Sequence, residues 1–295
     1  MDQGYAPHCL DEPGPPPGFT IFPPTAPALP LVLASPHSGR CYPPDFVATA
    51  RLDKATLRRS EDSYVDEIFA SAPSLGATLI AAHFPRAYCD VNREAWELDP
   101  AMFEDALPPW VNTTSPRVGA GLGTIARVVA NGEAIYGIRL RFAEAQKRVA
   151  TCWQPYHDAL AQLVNDTRAR HGFCILIDCH SMPASATQGR RPSPDIVLGD
   201  AHGTSCAPAL IRGVERFFTA EGHLVRRNDP YAGGFVTRHY GKPANQVHAL
   251  QIELARGLYM YESSLEKRPG FSRLQDQAAS LITALRLAAA ELAAL

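Results

Sequence analysis

Two histidines stand just past strand-like runs. "LVLASPHSG" delivers His37 and "FCILIDCHSMP" delivers His180, each with a serine directly after it. A lone histidine is usually structural. A pair at strand ends suggests a metal, because neutral imidazole is a common zinc ligand. Catalytic zinc typically takes three protein ligands and a water. The third ligand should be a carboxylate or another histidine. "SEDSYVDE" offers Glu61, Asp62, Asp66 and Glu67. Such acids also favour the first turn of a helix, and spacing alone does not choose among them. Asp178 lies two residues before His180, on the same side of its strand, where it can orient a ligand.

Glu253 ends the apolar run "VHALQIELA". An acid is expensive to bury there unless it is used or paired. Beside an activated water it can serve as general base and then general acid. The plainer alternative is a surface acid at a strand end. "PRAYCDVNRE" carries Arg86, Asn92 and Arg93. Arginine forks suit carboxylates, and a guanidinium can steady an oxyanion. "YAGGFVTRHYG" adds Tyr231 and Arg238 around two glycines that permit close backbone approach.

The elements that would position these residues alternate in type. Short apolar strands are expected at "LVLAS", "ATLIAAHF", "FCILIDCHS", "HLVRRN" and "VHALQIELA". Helices are expected over about 62–72, 138–170, 206–221 and the C-terminal "LQDQAASLITALRLAAAELAAL". Pro155 should kink or divide the second of these. "RAYCDVNR" reads as loop or strand, and "GGFVTRHYG" as turn-prone. Alternating strands and helices imply an α/β sheet covered on both faces, with ligands bound beyond the carboxyl ends of the strands. Residues 1–30 are rich in proline and read as an extended arm, leaving 31–295 as one domain.

Composition narrows the function. Hydrophobic residues are 46% and charged residues 20%, which fits a packed core rather than disorder. A formal net charge of -2 with no charge runs gives no nucleic-acid or membrane-surface footprint. No window approaches the roughly 18 apolar residues of a membrane span. No signal peptide is evident, so a soluble cytoplasmic protein is expected. Seven cysteines without a C-x-x-C fit free thiols in a reducing compartment. The G-x-S-x-G elbow, the P-loop and H-E-x-x-H are all missing.

Taken in order, "SPHSG", "EDSYVDEIF", "RAYCDVNR", "LIDCHSMP", "DIVLGDAHGTSC", "GGFVTRHYG" and "VHALQIELARGLYM" resemble the N-formylglutamate amidohydrolases over about residues 35–262. That family is similar to the zinc carboxypeptidases and aspartoacylases. The resemblance implies a three-layer α/β/α sandwich with a mixed central sheet, and one Zn2+ held by His37, His180 and an acid. It implies Asp62 as that acid, with Glu61 beside it as the alternative. The wider superfamily often keeps its acid three residues after the first histidine; Arg40 stands there in this chain. The resemblance further implies Glu253 as the catalytic glutamate and Arg86 at the oxyanion. Asn92 and Arg93 would then hold the substrate α-carboxylate, with Arg238 and Tyr231 at the distal carboxylate. The activity implied is hydrolysis of N-formyl-L-glutamate to formate and L-glutamate, a step of histidine degradation. The competing expectations are a zinc enzyme acting on another N-acyl amino acid or short peptide, and a ligand-binding protein on the same fold.

Overall fold

A computed structural model describes residues 18–129 and 132–292. The proline-rich stretch up to residue 17 lies outside the described residues. A seven-stranded sheet runs β1 (Phe19–Phe22), β3 (Thr78–Ala82), β2 (Leu31–Ser35), β4 (Cys174–Met182), β7 (Val247–Ala255), β5 (Ile196–Gly199) and β6 (Val225–Arg227). β2, β4 and β7 are mutually parallel, β5 runs antiparallel to β7, and β6 is parallel to β5. The sheet is therefore mixed, and the order makes β1 an edge strand. The helices are α1 (Pro44–Thr49), α2 (Lys54–Arg58), α3 (Val65–Ile68), α4 (Pro116–Gly119), α5 (Phe142–Arg148), α6 (Gln154–His171), α7 (Pro208–Ala220), α8 (Phe235–Tyr240) and α9 (Gly270–Leu292).

Contacts gather the chain into two compact units. Among the described residues, one comprises 18–20, 36–61, 81–129 and 132–159; the other comprises 21–35, 62–80 and 160–292. In the second unit β4 and β7 are buried almost end to end. Side chains alternate between the faces of a strand. Ile175, Ile177 and Cys179 of β4 and Leu250, Ile252 and Leu254 of β7 join one apolar cluster with α3, α7 and α9. The intervening residues, including Asp178, His180, Gln251 and Glu253, point to the other face. There α8 packs against β4 and β7. Helices thus cover both faces, giving the expected three layers.

In the first unit, Leu98, Met102, Phe103, Val111, Ile125, Leu140 and Ala145 form the apolar cluster. The helical period over 138–170 resolves into α5, one π turn (Val149–Trp153) and α6. Pro155 sits just inside α6, where its missing N–H and its ring disturb the preceding turn. That turn is used: Trp153 donates its indole N–H to the Arg93 carbonyl at 2.9 Å. His157 meets the Val91 carbonyl at 2.7 Å, and Arg148 donates to the Tyr88 carbonyl at 3.2 Å. Residues 88–93 are thereby fastened to one long helical segment.

Three local expectations are corrected. The helix expected over 62–72 is regular only at Val65–Ile68, because Tyr64 adopts a left-handed conformation (φ 68°) directly before it. "GGFVTRHYG" is not a turn: it holds α8, started by Gly234. Free thiols hold for Cys89, Cys152, Cys174, Cys179 and Cys206, all buried, but Cys41 is disulfide-bonded.

Gly39, two residues past His37, has no room for a side chain. A Cβ there would lie 2.1 Å from the Phe84 carbonyl oxygen. Gly39→Ala must push two backbone segments apart, and a loss on the order of 2 kcal/mol is expected in denaturant unfolding.

Candidate active site

In the first unit the hub is Asp90. His37 Nε2 lies 2.7 Å from its Oδ1, and the Asn92 backbone N–H donates to the same oxygen at 2.8 Å. Arg86 donates from Nη2 to Oδ2 at 2.8 Å, and Arg93 Nη2 stands 3.8 Å from Oδ2. Burial works against the Asp90 carboxylate, but Arg86, then His37 and Arg93, outweigh it and hold its pKa well below the usual carboxylate range. Arg86, Asn92 and Arg93, separate candidates in the sequence, thus share one buried acid with His37. Asp90 itself was not singled out. Its local signal is an acid with arginines at i−4 and i+3.

Arg93 is also tied to main chain. It donates to the Leu122 carbonyl (2.9 Å) and the Asn92 carbonyl (2.8 Å), and burial lowers its pKa. Glu61 is engaged as well. It accepts from Tyr42 at 2.8 Å and from Arg58 at 3.1 Å.

In the second unit His180 is held between two acids. Its Nδ1 lies 3.0 Å from Asp62 Oδ2, and its Nε2 lies 2.9 Å from Asp178 Oδ1. Burial lowers the basicity of this imidazole, but Asp178 and Asp62, with Glu253 adding, raise it well above its ordinary value. Asp62 also faces Arg256 (3.3 Å) and the Ser181 hydroxyl (3.4 Å), partners the sequence did not suggest. Glu253 is the register partner of His180 on the adjacent strand and is only 6% exposed. It is buried, against the surface-acid alternative, and accepts from Gln251 Nε2 at 2.8 Å.

His37, Asp62 and His180 each offer one ligand atom, and these atoms lie within 4.8 Å of one another, all from buried residues. The donor set suits a divalent metal. Each imidazole has its Nε2 against an aspartate, Asp90 or Asp178, which leaves Nδ1 to bind. A carboxylate behind a ligating histidine fixes its tautomer and raises its basicity. Two ligands held about 2.0–2.1 Å from one tetrahedral ion stand about 3.3 Å apart, close to the His180–Asp62 separation.

Of the remaining candidates, Arg238 donates from Nε to the Gly233 carbonyl at 3.1 Å. It lines a cavity of about 440 Å³ with Thr204, Lys242 and Asn245. Tyr231 follows the cis Asp229–Pro230 bond and lies within the electrostatic reach of Arg190.

Two outcomes follow. Asp90→Asn leaves His37 without its carboxylate, and a 10- to 100-fold loss of metal affinity is expected in competition titrations with a chromophoric chelator. Asp178 and Asp62, with Glu253, favour the protonated form of His180 when metal has been stripped away. Metal uptake must then expel that proton, so apparent affinity should fall as pH is lowered. Calorimetry in buffers of different ionisation heat measures the proton released.

Residues 29–260 match the family model for N-formylglutamate amidohydrolase. An N-formylglutamate deformylase of Pseudomonas aeruginosa is 31% identical over 80% of this chain and 84% of its own length. The crystal structure of an N-formylglutamate amidohydrolase from Ralstonia eutropha JMP134 superposes with a TM-score of 0.88 at 38% identity, covering 93% of this chain and 99% of that one. A gene product of Agrobacterium tumefaciens shares the fold at a TM-score of 0.65 and 18% identity, covering 93% and 96%. The chain belongs to the N-formylglutamate amidohydrolase family.

Proposed function

We propose that this chain is a zinc-dependent deformylase that hydrolyses N-formyl-L-glutamate to formate and L-glutamate in the cytoplasm. The observation that carries the reading is the buried His37, Asp62 and His180 set, with Glu253 in register beside His180. Relatives at 31% and 38% identity that bear the N-formylglutamate name support the substrate.

His37 and His180, through Nδ1, and Asp62, through a carboxylate oxygen, would hold the ion. When bound, the ion polarises the formyl carbonyl and makes water a stronger nucleophile. Glu253 takes a proton from the attacking water and returns it to the leaving amine nitrogen, which departs as neutral glutamate amine. Arg86, aimed by Asp90, meets the negative charge that gathers on the formyl oxygen. Asn92 and Arg93 hold the α-carboxylate. Arg238 and Tyr231 serve the side-chain carboxylate. A small acidic N-acyl amino acid is the partner this set of cations suits, rather than a nucleic acid or a membrane.

Metal analysis and formate release from N-formyl-L-glutamate test the reading together. One equivalent of zinc, activity lost on chelation and activity regained on adding zinc are expected. A zinc-replete enzyme inert toward every N-acylated acidic amino acid would overturn it. Glu253→Gln should lower kcat by roughly 100- to 10,000-fold while the metal content stays near that of the wild type. Loss of metal together with activity would assign Glu253 a ligand role instead.

A further inference from the structure

We propose that Gln251 is a positioning residue for Glu253, and that it ties the Gly233–Gly234 turn to the carboxylate that moves the proton. The inference rests on the deformylase reading for its chemistry, but its geometry does not depend on it.

Gln251 is two residues before Glu253 on β7, so both point to the same face of the sheet. It is 3% exposed. Its Oε1 accepts the Gly234 backbone N–H at 2.8 Å, and its Nε2 donates to Glu253 Oε1 at 2.8 Å. These two bonds determine which way the amide is turned. A backbone N–H can only donate, so the atom facing it must be the oxygen. The NH2 group is then left facing a carboxylate that, when ionised, can only accept. The reverse orientation would set donor against donor and acceptor against acceptor, both buried. The amide is therefore locked at both ends.

A glutamate has several side-chain torsions, and catalysis needs one arrangement of them. The locked amide supplies a fixed donor for one carboxylate oxygen and so sets the plane of the group. Its other end is anchored to main chain rather than to a mobile side chain. Gly234 starts α8, and Gly233 has φ 112° with no room for a Cβ against Thr237. The anchor is thus a main-chain N–H at the start of α8.

The experiment compares Gln251→Glu with Gln251→Met. A glutamate at 251 can still accept the Gly234 N–H but, when ionised, cannot donate to Glu253. Methionine has a similar shape and makes neither bond. Both variants should lose about 10- to 100-fold in kcat on N-formyl-L-glutamate with KM unchanged. Crystal structures of both should show the Glu253 carboxylate turned away from its wild-type position. If Gln251 only braces the turn, Gln251→Glu will keep wild-type kcat even at the alkaline end of the pH profile, where both carboxylates are ionised and neither can donate, while Gln251→Met loses it, and the proposal falls. It falls equally if Glu253 holds its place in both variant structures. A wild-type enzyme inert on the substrate overturns the deformylase reading alone, because the position of Glu253 in the variant crystals still decides the role of Gln251.

Discussion

Asp62, Asp178 and Glu253 are buried, and all three act on the imidazole of His180. Carboxylates are costly to take out of water unless positive charge and hydrogen bonds accompany them. Arg256 and Ser181 meet that demand at Asp62, and Gln251 helps at Glu253. At Asp178, His180 Nε2 and the Thr237 hydroxyl approach different oxygens. The same demand raises the basicity of His180, and it is the demand a divalent cation would satisfy. Most other features of the sheet can be understood as ways of holding these groups where they are.

The strand parity is the first of these. β4 and β7 each place three apolar residues in the cluster with α3, α7 and α9, and Asp178, His180, Gln251 and Glu253 in the alternate positions. A one-residue slip of either strand would send its polar set into that apolar layer. Register is therefore enforced by the same burial that makes the acids costly. Parallel pairing then brings Gln251 beside Asp178 and Glu253 beside His180. The juxtaposition of His180 and Glu253 is a consequence of register, not of any loop.

This explains what could be read from the sequence. "LVLAS" and "VHALQIELA" are strands as written, and "FCILIDCHS" is shifted by one residue to Cys174–Met182, because a strand buried on both faces is a local apolar run bounded by turns. His37, His180 and Glu253 stood out as polar residues at the ends of such runs. The partners of these residues were harder to see. Arg256 reaches Asp62 across 194 residues, and Asp90 reaches His37 across 53, so no local pattern encodes either pair. Gln251 looked like an ordinary residue inside a strand because its two bonds run to a backbone N–H and a carboxylate that only the fold brings near. α8 was missed because its flanking glycines resemble turn signals, although one of them serves as the helix cap.

Asp90 shows why such partners matter more than their anonymity suggests. One of its oxygens receives both His37 and the Asn92 backbone, while the other receives Arg86. Asp90 takes one bond from Arg86 Nη2, and that bond helps to orient the guanidinium. The orientation of a candidate metal ligand and that of a candidate oxyanion donor are thus set by a single carboxylate. Substitutions at His37, Arg86 and Asn92 share that carboxylate, so their effects are coupled rather than additive. A loop with little regular structure gains its precision this way. It is fastened behind by Trp153, His157 and Arg148, and in front by an acid too deeply buried to turn elsewhere.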